Sequence, residues 1–220
     1  MIAGMIWRIR HWIGLTTLCV GLFARVAHAT LLNPGGTVVP GPTSIAGAVL
    51  VVDSGPQPFA SVDGTSFGGS LRTRVYVNDP SNPFGPSLFT FTFQISNDGP
   101  DALERFVCVR NQGILTDVCV IAAPGEAIPS SADRSTNAAV IGWDYSGTTG
   151  IPDAGRSALL VMHTNAGTYY PRIDYLINGS VATVNSFGPG PLTEPEPSGA
   201  LVAVCGMIAS LTRLRLRPPR

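Results

Sequence analysis

Between Thr30 and Pro197 the chain carries one histidine, His163, and two cysteines, Cys108 and Cys119. An imidazole works as a general base in acyl transfer when an activated serine lies beside it and an acid orients it. His163 sits in a strand-like run without such a constellation in view, so it is read as structural and no catalytic residue is assigned. Carboxylate pairs are the other chemistry open to this chain. Asp98 with Asp101, and Asp144 with Asp153, could flank a glycosidic bond, but each lies among turn-forming residues, and turn formation accounts for them. The same loops could offer oxygens to calcium, yet no D-x-[DN]-x-[DN]-G loop occurs. A tetrahedral metal site would need two ligands beyond the cysteine pair, and His163 supplies one. No metal and no cofactor is expected. Trp143, Tyr145, Tyr169 and Tyr170 could form a platform for stacking a sugar, or could pack a core or an interface.

The elements that must position these residues are short strands. The chain has 220 residues, with 25 glycines, 19 prolines and 13% charged residues, a mix that suits strands joined by turns better than a helical bundle. Leu88–Ser96 alternates most clearly: Phe89, Phe91, Phe93 and Ile95 on one face, Thr90, Thr92 and Gln94 on the other. That is a half-buried antiparallel strand whose aromatic face belongs in the core. Leu71–Asn78 alternates as well, with Leu71, Thr73, Val75 and Val77 on one face. Ile45–Asp53 is a continuous apolar run, short enough for a buried strand. Ser54–Gly69 is dense in turn signals. Ala138–Tyr145, Ser157–His163 and Tyr169–Ile177 read as strands, and Asn178-Gly179 reads as a hairpin turn into Val181–Val184. The sequon Asn178-Gly179-Ser180 overlaps that turn, which explains it without a glycan. No stretch sustains an i, i+3, i+4 apolar pattern. The expected fold is all-β, a single antiparallel β-sandwich or jelly-roll-like domain of eight or nine strands.

Arg105–Arg110 and Asp117–Ala122 read as a hairpin centred on Gly113-Ile114. That register sets Arg110 against Asp117, Val109 against Val118, Cys108 against Cys119 and Val107 against Val120, each pairing mildly favourable. In an exported protein the two cysteines are expected to form a disulfide; two buried free thiols are the alternative.

The zero formal net charge hides an asymmetry. Every positive residue is an arginine, and the segment from Thr30 to Pro197 holds seven of them against all fourteen acidic residues, a net charge of −7. Nucleic acid is therefore not an expected partner, because phosphate contacts need a cationic face. Residues 1–29 read as a secretory signal peptide: Arg8 and Arg10, an uncharged apolar stretch from Trp12 to Phe23, and the small-x-small site Ala27-His28-Ala29.

At the other end, Pro195-Glu196-Pro197 is followed by an apolar segment, 199–212, and by Arg213, Arg215, Arg217 and Arg220. Arginines after an apolar segment hold that end in the cytoplasm and leave the folded part outside. The three-part order resembles the PEP-CTERM sorting signal of Gram-negative bacteria. The resemblance covers about the last 27 residues, counted from Glu194. It implies processing by an exosortase, transient anchoring in the inner membrane, and release to the cell surface or the extracellular space. It also implies association with exopolysaccharide, biofilm or floc. Glu194 stands where such signals often carry an apolar residue, and the apolar run is poor in leucine. The domain plan is a signal peptide (1–29), a β-sandwich (30–187), a Pro/Gly linker (188–193) and the sorting signal (194–220). The expected role is structural or adhesive and non-enzymatic, with extracellular polysaccharide as a partner. A carbohydrate-binding module and a secreted hydrolase are the alternatives.

Overall fold

The computed structural model describes residues 30–190. The leader, with Ala27 and Ala29, lies outside them, as do Pro195, Glu196, Pro197, the 199–212 segment, Arg213, Arg215, Arg217 and Arg220. Within them the fold is all-β, with no helix among the described residues. The strands are β1 (Thr37–Val38), β2 (Gly41–Pro42), β3 (Val49–Ala60), β4 (Gly68–Val77), β5 (Thr90–Asn97), β6 (Arg105–Cys108), β7 (Thr116–Ile121), β8 (Ser131–Arg134), β9 (Ile141–Asp144), β10 (Gly155–Arg156), β11 (Leu159–Thr164), β12 (Tyr169–Asn178) and β13 (Ser180–Pro189). They form a six-stranded sheet in the order β1-β8-β9-β6-β12-β13 and a larger sheet in the order β2-β7-β11-β5-β4-β3, with β10 on β5. Every named pairing is antiparallel except β2 on β7, which is parallel.

The two sheets enclose one core, and alternation decides which residues enter it. Phe91, Phe93 and Ile95 of β5 are buried as their spacing predicts, beside Leu71 and Val75 of β4 and Leu160 and Met162 of β11. The facing sheet contributes Phe106, Cys108, Ile141, Trp143, Leu176 and Val184. At the centre Trp143 stacks on Phe106 with ring centroids 5.7 Å apart, and Phe93 approaches the two at 5.8 and 5.2 Å. Burying each such ring contributes roughly 1.5–3 kcal/mol relative to leaving it exposed.

Two strands depart from the expectation at the sheet edges. β3 begins four residues into the Ile45–Asp53 run and continues to Ala60, through residues read as turns. It is an edge strand, so Val49, Leu50 and Val51 remain 50, 49 and 42% exposed. Pro56 and Pro58 are tolerated there because an edge strand has one side without a ladder. Gly55 takes a φ of 63° at a register shift, where the Ser54 hydroxyl accepts the Thr73 N–H. β13, the other sheet's edge, likewise runs through Gly188 and Pro189, which the composition assigns to a linker. A Cβ on Gly188 would lie 2.3 Å from Arg172 Nη1, so the strand can pass only without a side chain there.

The Cys108–Cys119 disulfide and the hairpin behind it are wrong. β6 pairs with β9 and β12, whereas β7 pairs with β11 and β2, so the two strands belong to opposite sheets. Both cysteines are buried free thiols. The segment between them is a corner from one sheet to the other. Arg110 turns it with a φ of 62°. Arg134 donates to the carbonyls of Asn111, Ile114, Leu32 and Ala138. Arg172 donates to the Val109 carbonyl and to Asn111 Oδ1, and is itself paired with Asp174 at 3.0 Å. Backbone groups that a hairpin would pair with each other are satisfied instead by two buried guanidinium groups.

Candidate functional site

The outer face of the larger sheet carries a buried cluster of reactive groups. Strand register dictates it: His163 of β11 lies directly opposite Asp117 of β7 on one side and Thr90 of β5 on the other. Cys119, two residues after Asp117, projects from the same face. Asp79 enters from the loop after β4, one residue past Asn78, which turns the chain with a φ of 57°. His163 Nδ1 is 2.7 Å from Asp117 Oδ2, and Nε2 is 3.3 Å from Asp79 Oδ2. Cys119 Sγ lies 3.4 Å from the same Asp117 oxygen. Asp79 is fixed in turn by the Thr90 hydroxyl at 2.8 Å and the Ser81 N–H at 2.9 Å.

These four residues are 0–2% exposed although they project away from the core. Between β2 and β3 the chain must travel from one edge of the larger sheet to the other. On the way Ser44 accepts a hydrogen bond from Ser81, and Gly47 lies against Pro80. This crossing meets the Asp79 loop at the end of the sheet where His163 sits.

The electrostatics are those of an ion cluster. Burial alone would push the imidazole pKa down. The hydrogen bond to Asp117, the Asp79 carboxylate beside Nε2 and the contact with Cys119 overcome it and hold His163 at about 11. Burial pushes the Cys119 thiol up, against the pull of the imidazole. Burial also opposes ionisation of Asp79, but His163, the Ser81 N–H and the Thr90 hydroxyl outweigh it and lower its pKa. An imidazole protonated at neutral pH cannot accept a proton from a nucleophile, and a thiol kept protonated is a poor attacking group. In this state the cluster is a set of fixed charges.

The remaining sequence-assigned residues scatter. Trp143 and Tyr145 are fully buried, so neither can stack a sugar. Tyr169 is half-buried, edge-on to Phe89 and Phe187 at 5.5 and 5.9 Å, and Tyr170 is half-buried on β12. Asp98, Asp101 and Asp153 are exposed in turns, while Asp144 is paired with Arg105 at 3.5 Å. Gly64-Thr65-Ser66-Phe67-Gly68 spells the G-x-S-x-G of a nucleophile elbow, a match that a reading centred on His163 passes over. It lies in the turn between β3 and β4, where the Ser66 hydroxyl donates to Asp63, and no helix follows it. The strand-to-helix turn of a nucleophile elbow is therefore absent there. Asp79 and Asp117 are the residues that sequence reasoning missed. The expected hairpin sets Asp117 against Arg110, and Asp79, directly after Leu71–Asn78 and before Pro80, carries no sequence signal of its own.

Compared with known proteins, the chain matches no family model, no curated protein and no solved structure.

Proposed function

We propose that this chain is an exported β-sandwich protein that an exosortase sorts to the cell surface or extracellular matrix, where it has a structural or adhesive role and no catalytic one. The order at the C-terminus carries the reading: a Pro-Glu-Pro motif at 195–197, an uncharged apolar stretch, and arginines at 213, 215, 217 and 220. The leader-like Met1–Ala29 complements it. The all-β body between the two builds its own core and carries a net negative charge, which suits a soluble exported domain. The charge state of the His163 cluster is consistent with a non-catalytic role. The test is expression of a C-terminally tagged chain in a host with and without its exosortase, followed by fractionation. Loss of the tag from the surface-associated protein only when the exosortase is present supports the reading. A full-length tagged protein that stays in the cytoplasm defeats it.

A second reading, carbohydrate binding, rests on residues other than the four aromatics that sequence suggested. The outer face of the six-stranded sheet bears an open groove of about 350 Å³ lined by Tyr175, Pro171, Ile173, Asn185, Val109 and Arg110. A tyrosine ring beside an amide and a guanidinium is the equipment that stacks a sugar and bonds its hydroxyls. Binding to an extracellular polysaccharide that disappears in Tyr175→Ala favours this reading; binding that survives the substitution removes it.

A further inference from the structure

We propose that Asp117, Cys119 and His163 form a binding site for a thiophilic divalent cation, zinc in the first instance, with Asp79 as the group that orients the histidine. The ligand atoms, one oxygen, one sulfur and one imidazole nitrogen, all lie within 4.8 Å of one another. Zinc takes this mixture of donors, and thiolate ligation favours it over calcium or magnesium. The ligand atoms come from two neighbouring strands at directly opposed and i, i+2 positions, so the rigid part of the fold sets their separation.

The surroundings fit a metal site in two further respects. Metal-binding histidines commonly present their other ring nitrogen to a carboxylate, which fixes the tautomer. Here Asp79 lies 3.3 Å from Nε2 and is itself held by Thr90 and Ser81, leaving Nδ1 to face Asp117, whose same oxygen lies 3.4 Å from Cys119 Sγ. The second observation is polar groups left without partners in a fully buried place. Asp117 Oδ1 has no hydrogen-bond partner, and His163 Nε2, although 3.3 Å from Asp79, makes no aligned hydrogen bond. A buried carboxylate oxygen without a donor is costly, and a cation between Asp117 and Cys119 would satisfy it. The ion takes the place of the protons held at Nδ1 and Sγ, which are released as it binds, and the three protein ligands coordinate it.

The experiment is metal analysis of the purified chain after refolding in the presence of zinc ion and removal of the excess. One zinc per chain is expected. Cobalt substitution should give a thiolate-to-cobalt charge-transfer band in the near ultraviolet. Cys119→Ser and Asp117→Asn should each abolish the stoichiometric ion, and Asp79→Asn should weaken its affinity by about 10–100-fold, the usual effect of losing such a partner. Cys108→Ser, which alters the other buried thiol, should leave stoichiometry and spectrum unchanged and serves as the control for folding. A refolded wild-type chain without bound zinc overturns the proposal. So does zinc held equally by wild type, Cys119→Ser and Asp117→Asn, which would place the ion elsewhere.

Discussion

Trp143 shows how one side chain can be placed correctly in the sequence and wrongly in the fold. The aromatic is large and adjoins polar residues, so a surface platform was open to it, but its neighbours on β9 alternate into the core. Its ring now supports Phe106 and Phe93. Trp143→Ala should cost about 3–5 kcal/mol of stability, the range for a large aromatic removed from a packed core, read as a lower urea midpoint at unchanged slope. The two cysteines give a second expectation at this scale. Neither should react with a thiol reagent in the native protein, and each should be alkylated once unfolded, with no reductant needed. A linked Cys108–Cys119 peptide pair in a non-reducing digest would contradict the fold. Asp53 supplies a third. Arg72, the Gly55 N–H and Arg74 hold its carboxyl well below the usual carboxylate range, against a smaller effect of burial. A depressed carboxylate stabilises the fold above its unfolded pKa of about 4 and loses that contribution as pH falls through the folded value. Asp53→Asn should therefore cost about 1 kcal/mol at pH 7, given its partly exposed partners. The difference from wild type should shrink in acid below about pH 4.

At the scale of elements, β5 and the β12–β13 turn were legible because each rests on a local rule. Alternation of Phe and Thr needs one buried face, and Asn178-Gly179 supplies the positive φ that a tight turn requires, here 60° at Gly179. The corner between β6 and β7 was not legible. In a sandwich a strand that crosses to the opposite sheet keeps the same inward alternation as one that turns back, so period two does not name the partner sheet. The distinguishing residues, Arg134 and Arg172, lie far along the chain from the corner they support. Arg134→Met should leave carbonyls of the corner without donors and cost about 2–4 kcal/mol, since each unsatisfied buried polar group costs about 1–3 kcal/mol. Amide protection should fall first across residues 109–115. The same long-range assembly hid the metal-type cluster: Asp117 and His163 meet once β7 and β11 pair, and Asp79 joins them once β4, β5 and β11 pair.

At the scale of the molecule, three of the four edge strands bear proline: Pro42 on β2, Pro56 and Pro58 on β3, and Pro189 on β13. Edges so marked resist pairing with another chain. Replacing Pro56 and Pro58 together by threonine should leave the core intact and raise light scattering at high protein concentration; a variant as monodisperse as wild type would show that the bulge at Gly55 protects the edge without them.

The crossing from Pro42 to Val49 binds two strands that share no ladder. It works as a hoop does on staves: neither rim of the larger sheet can peel away without drawing the hoop taut against the other. Hydrogen exchange at β2 and β3 should for that reason rise and fall together, although five strand-to-strand steps separate them. A single cut between Ser44 and Gly47 would let the two rims breathe independently.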